Sequence, residues 1–83
     1  MNFPKVKILA SNFTLVDLGS VKVWYSYDTP IAFQGNEGLV IRENAFSKTT
    51  GKHLNMVDSF QKNRVSSEVF QKEWQRQTRY VRL

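Results

Sequence analysis

Residues 21–33, Val-Lys-Val-Trp-Tyr-Ser-Tyr-Asp-Thr-Pro-Ile-Ala-Phe, constrain what this chain can become more than any other stretch. They hold one of its two tryptophans and two of its three tyrosines. β-Branched and aromatic side chains at this density suit a pleated, half-buried surface, so the stretch reads as the central strand of a sheet. Alternation sends Val21, Val23, Tyr25 and Tyr27 to one face, toward a core, and Lys22, Trp24 and Ser26 to the other. Asp28-Thr29-Pro30 interrupts it, because proline donates no ladder hydrogen bond. A bend or bulge is expected there, with pairing resumed at Ile31-Ala32-Phe33.

The flanking residues supply its neighbours. Residues 5–10 alternate, with Val6, Ile8 and Ala10 turned inward and lysines on the wet side, as suits an edge strand. Ser11-Asn12 is a turn, and residues 13–18 are a second strand. Gly19-Ser20 then carries the mark of a tight type II′ hairpin. That turn pairs Leu18 with Val21, Asp17 with Lys22, Val16 with Val23 and Leu15 with Trp24, so that opposite charges meet and apolar faces apolar. Residues 34–38 are turn chemistry and residues 39–42 a further strand, giving an antiparallel meander of four or five strands.

After residue 44 the period lengthens. Hydroxyl residues from Ser47 onward cap a short helix with Leu54, Val57 and Phe60 at three-residue spacing, broken at Lys62-Asn63-Arg64. A C-terminal amphipathic helix is expected over residues 67–82. Ser66 is its cap, Glu68 sits in its first turn, Val65 and Phe70 form its staple, and Phe70, Trp74 and Val81 make its apolar stripe. The result is an α+β fold, a single domain spanning residues 1–83, with the helices covering one sheet face.

Several function classes are set aside. With no cysteine and one histidine, the chain has no disulfide, no thiolate site and no histidine pair, so no metal or other cofactor is expected. No apolar run approaches the roughly 20 residues of a spanning helix. The N-terminus lacks a signal-peptide layout, so a cytoplasmic protein without membrane contact is the expectation. Charge is more informative. Residues 1–44 balance four cations against four anions, and the whole net charge of +5 arises in residues 45–83. Such asymmetry suits an anionic partner, nucleic acid or an acidic host or defence protein surface, although it also describes a merely solvated basic face.

Two stretches resemble a family of small, uncharacterised proteins of bacteriophages and other mobile elements. Residues 26–32 follow a Ser-Tyr-x-Thr-Pro-x-Ala pattern and residues 47–55 a Ser-x-Thr-Thr-x-x-His-x-Asn pattern. The resemblance implies a phage-type origin and transfers no catalytic role. Thr49-Thr50-Gly51-Lys52-His53 is not a phosphate-binding loop of the nucleotide-hydrolysing kind, since Phe46 and His53 stand where a Gly and a Ser or Thr are required. At most these residues and Lys48 make an anion contact at a helix start. His53 reads better as a tie from helix to the strand end near Asp28 or Thr29 than as a catalytic base. No enzyme is expected.

The expected function is nucleic-acid binding by a small basic accessory protein. Lys72, Arg76, Arg79 and Arg82 of the C-terminal helix, with Lys48 and Lys52, would meet phosphates, and Trp24 on an open aromatic sheet face would stack on bases. The competing expectation is a phage-encoded inhibitor of a host or anti-phage defence protein, for example an anti-CRISPR-like role. A homodimer is the other occupant an open aromatic face would accept.

Overall fold

A computed structural model describes residues 5–44 and 47–78. Its order is β1 (Lys5–Ala10), β2 (Phe13–Asp17), β3 (Lys22–Ser26), β4 (Thr29–Gly35), β5 (Gly38–Arg42), α1 (Lys48–Val57), a 3₁₀ turn (Gln61–Asn63), β6 (Arg64–Val65) and α2 (Ser67–Thr78). The six strands lie in chain order in one sheet. The first five form an antiparallel meander, but β6 pairs parallel to β5 (Ile41↔Arg64, Arg42↔Val65), so the sheet is mixed rather than an antiparallel one of four or five strands. Residues 43–63, with α1 among them, are the long crossover that a parallel pair requires.

The β2–β3 hairpin follows its turn. Gly19 has φ 92°, which a β-carbon would oppose, and its N–H is held by Asp17 Oδ1 at 2.9 Å. The observed pairs Leu15↔Trp24, Val16↔Val23 and Asp17↔Lys22 are those the turn dictates. Residues 21–33, however, are not one strand. The chain reverses at Tyr27-Asp28, with Tyr27 at φ 56° and its N–H bonded to Asn12 O at 2.7 Å, and β4 folds back on β3. Between Trp24↔Ala32 and Tyr25↔Pro30 the register shifts, leaving Ile31 as an extra residue. This bulge lets consecutive Ile31 and Ala32 enter the same core.

A second irregularity decides what the sheet presents. β1 pairs Ala10 with Phe13 but Ile8 with Thr14, so Leu9 is the extra residue. Before the bulge every side chain of β1 is therefore on the opposite face from the one a regular hairpin would give it. Lys5 and Lys7 fall level with Asp17 and Leu15, on the Trp24 side, and Val6 and Ile8 fall level with Val16 and Thr14 on the other. The expectation that Val6 and Ile8 point into a core is overturned, since they are 63% and 82% exposed.

The helices lie on opposite faces of the sheet, not on one. α1 is capped by Ser47, whose Oγ accepts from Thr50 N–H at 3.2 Å. It seats Leu54 on Phe13, Ile31, Ala32 and Ile41. It ends at Val57, so Phe60 lies beyond it and is exposed. α2 is capped by Ser66, whose Oγ accepts from Val69 N–H at 3.2 Å. Its Phe70 packs with Val21, Val23 and Phe33, Trp74 and Val65 completing that second core. Phe70 and Trp74 thus cover the Val21/Val23 face and not Trp24. Val81 and the rest of the expected helix to residue 82 lie outside the described residues.

Candidate functional site

The two motif stretches meet at the end of β3. Ser26, the last residue of that strand, is 1% exposed, and its Oγ lies 2.7 Å from His53 Nδ1 and 3.0 Å from Thr50 Oγ1. Thr50 Oγ1 also accepts from Ser47 Oγ at 3.3 Å, joining the helix cap to the cluster. Phe13 stacks on the His53 ring at 4.7 Å between centroids, and Tyr27 leans over it at 6.3 Å. His53 does tie α1 to a strand end, but its partner is Ser26 rather than Asp28 or Thr29. A serine against a histidine is the chemistry of a nucleophile and its base. Here Ser26, Thr50 and His53 are all buried between α1 and the sheet, and their polar atoms bond to one another. The cluster is a polar clasp between helix and sheet. At its far end Asn55 Oδ1 accepts from Arg64 at 2.6 Å, fastening α1 to β6 as well.

The residues expected to bind a partner are dispersed over three surfaces. Lys48 and Lys52 are exposed on α1, where 100° per residue puts them opposite the buried Thr50, His53 and Leu54 and hence away from the sheet. Lys72 is exposed on α2, across the sheet from Trp24, 3.7 Å from Glu68. Arg76 is engaged. Its guanidinium grips both oxygens of Glu37 at 2.6 and 2.8 Å and reaches Glu73 at 2.6 Å, linking α2 to the β4–β5 turn. Glu37 holds the arginine proton more firmly than usual, with Glu73 adding to it. The Glu37 carboxyl is held below the ordinary range by its bonds to Arg76, and that of Glu73 by Gln77 and then Arg76. Arg79 and Arg82 lie outside the described residues.

Trp24 has other company. α1 covers the sheet face near Phe13, Ser26 and Ile41, and half-buried Trp24 packs against the margin of that core, with Lys5, Lys7 and Lys22 exposed beyond it on the same face. There the register aligns Lys7, Leu15 and Trp24 in one cross-strand row and Lys5, Asp17 and Lys22 in the next. The three lysines are exposed, while Leu15, Asp17 and Trp24 are half-buried. A half-buried indole and a leucine thus lie among three cations and one anion. Sequence reasoning placed Trp24, Leu15 and Lys22 together but missed Lys5 and Lys7. A regular two-residue turn at Ser11-Asn12 would have put both on the other face, and nothing in Ile8-Leu9-Ala10 announces the bulge.

Among the described residues no helix is long and apolar enough to cross a membrane. No curated protein and no solved structure matches the chain. One family model does, over residues 3–76, which takes in the meander, the clasp, the crossover and α2 as far as Arg76. The chain belongs to that family, described as a family of unknown function (DUF8033).

Proposed function

We propose that this protein binds single-stranded nucleic acid on the open end of its α1-side sheet face. Trp24 stacks on a base, Leu15 adds apolar contact, and Lys5, Lys7 and Lys22 neutralise the flanking phosphates. The observation that carries this reading is the convergence of three exposed lysines around a half-buried indole on one sheet surface. Sheet surfaces that pair aromatics with cations suit unpaired strands, because every base offers a π-face while the backbone charge repeats along the chain. An open sheet face also suits an unpaired strand better than a duplex, whose grooves take a helix or a narrow ribbon. On this reading Lys48, Lys52 and Lys72 add only long-range attraction.

The test is fluorescence anisotropy with a labelled oligo(dT) of about 12 nucleotides over a salt series. The triple change of Lys5, Lys7 and Lys22 to Gln should weaken binding and flatten log affinity against log salt by about 2, some 0.7 for each single-strand phosphate contact. Trp24→Ala should weaken binding with little change in that slope. A parent that fails to bind at low salt, or a triple variant that binds like the parent, refutes the reading and puts the inhibitor of a host protein first.

A further inference from the structure

We infer that Asp17 reads bases on the proposed strand-binding surface. It accepts a hydrogen bond from the exocyclic amino group of a base such as cytosine and disfavours uracil and thymine, which carry a carbonyl there. This role rests on the nucleic-acid reading above and gives it a sequence preference. Asp17 ends β2 in the middle of a cross-strand row, level with Lys5 on one side and Lys22 on the other. Both lysines are exposed, and Asp17 is half-buried between them. A carboxylate so placed repels a phosphate, so a surface serving the nucleic-acid backbone alone would do better with a neutral residue at that point. Its bond to Gly19 does not call for a charge either, since an asparagine oxygen would accept it as well. What the carboxylate adds is an acceptor with no proton to give, which only a donor satisfies.

The geometry leaves that acceptor fixed and unspent. Gly19 N–H holds Oδ1 at 2.9 Å, so the turn sets the orientation of the carboxyl. Among the described residues no hydrogen bond reaches Oδ2, and neither lysine of the row forms an ion pair with Asp17. Trp24 is its diagonal neighbour, two residues beyond its partner Lys22 on the same face. Diagonal neighbours stand about 7–8 Å apart, so a base stacked on the indole can turn its edge to Asp17. Cytosine then presents an amino donor where uracil and thymine present a carbonyl oxygen, and an aspartate accepts from the first and repels the second.

Fluorescence anisotropy at low salt and neutral pH tests this with labelled oligo(dC) and oligo(dU) of about 12 nucleotides. The two share sugar, backbone and ring size and differ at the base edge. The parent should bind oligo(dC) about tenfold more tightly, toward the lower end of what one base contact discriminates. Asp17→Asn keeps an oxygen for Gly19 N–H, and its amide can face either base, so the two affinities should converge, chiefly through tighter binding of oligo(dU). Asp28→Asn, which removes one negative charge at the exposed β3–β4 turn, should leave the ratio as in the parent. A parent that binds both oligonucleotides equally, or a preference that survives in Asp17→Asn, overturns the inference and leaves the strand-binding reading in place. Oligo(rU) that outbinds oligo(dU) only while Asp17 is intact assigns the acceptor to the ribose hydroxyl and overturns it too. A parent that binds neither DNA refutes the strand-binding reading itself, and the base reader with it.

Discussion

Ser26 shows how much one hydroxyl can organise. It ends β3 between Thr50 and His53, and its removal would leave both buried partners without that bond. Ser26→Ala should therefore destabilise the fold by about 1–3 kcal/mol, more than a neutral hydrogen bond is worth, because buried partners are left unmade. Urea denaturation checks this, and a loss of a few tenths would show that water reaches the clasp. That His53 would fasten helix to strand was legible, since a lone histidine in a capped helix has few other uses. Its partner was not. The reversal at Tyr27-Asp28 places Ser26 at a strand end, but a tyrosine at positive φ is not a turn signal, and Pro30 drew attention to a point three residues later.

Among the elements, α2 was the most legible, because its cap, its staple and its Phe70/Trp74 stripe are all local in the chain. The face it covers was not, since β3 carries aromatic side chains on both sides. β6 was invisible: two residues have no period, and its parallel partner lies across the crossover. Within α2 the deeper anchor is Phe70, 1% exposed and set edge-on to Phe33 at 5.4 Å, with the Arg42 guanidinium 5.0 Å from its ring centre, while Trp74 is half-buried beside it. Phe70→Ala should cost about 3–5 kcal/mol and Trp74→Ala less, as equilibrium denaturation of the two variants will rank them.

The Glu37–Arg76–Glu73 group fixes the same helix through charge, which gives it a pH dependence. Both carboxyls titrate lower in the folded protein than in the unfolded chain. Their contribution is complete above the ordinary carboxylate value of about 4.3 and fades as pH falls through the lowered values. The parent should melt above Arg76→Gln at about pH 6, with the gap narrowing as pH falls below the ordinary carboxylate range and shrinking in salt. A gap that persists in acid would mean that Arg76 acts through packing instead.

For the molecule as a whole, the α+β class, the meander and the β2–β3 register were legible because local turn chemistry specifies them, whereas the number of strands and the division of labour between the two faces depend on pairings that a single residue can alter. That residue is Leu9. Pairing of β1 with β2 can proceed in either of two frames, and leaving Leu9 out of the ladder selects the observed one. Deleting it should yield a folded protein, as Leu9 is itself exposed and Ala10 is the one residue of β1 packed against a buried core. In that protein the pairs Ile8↔Thr14, Lys7↔Leu15, Val6↔Val16 and Lys5↔Asp17 would be kept in a regular hairpin, so Lys5 and Lys7 would stay on the Trp24 side. Oligonucleotide binding should then persist in the same anisotropy series, with the melting temperature little changed. A hairpin that took Leu9 into the ladder would instead pair it with Thr14 and send both lysines to the other face, so what the protein shows to its surroundings turns on whether one residue is counted in or left out.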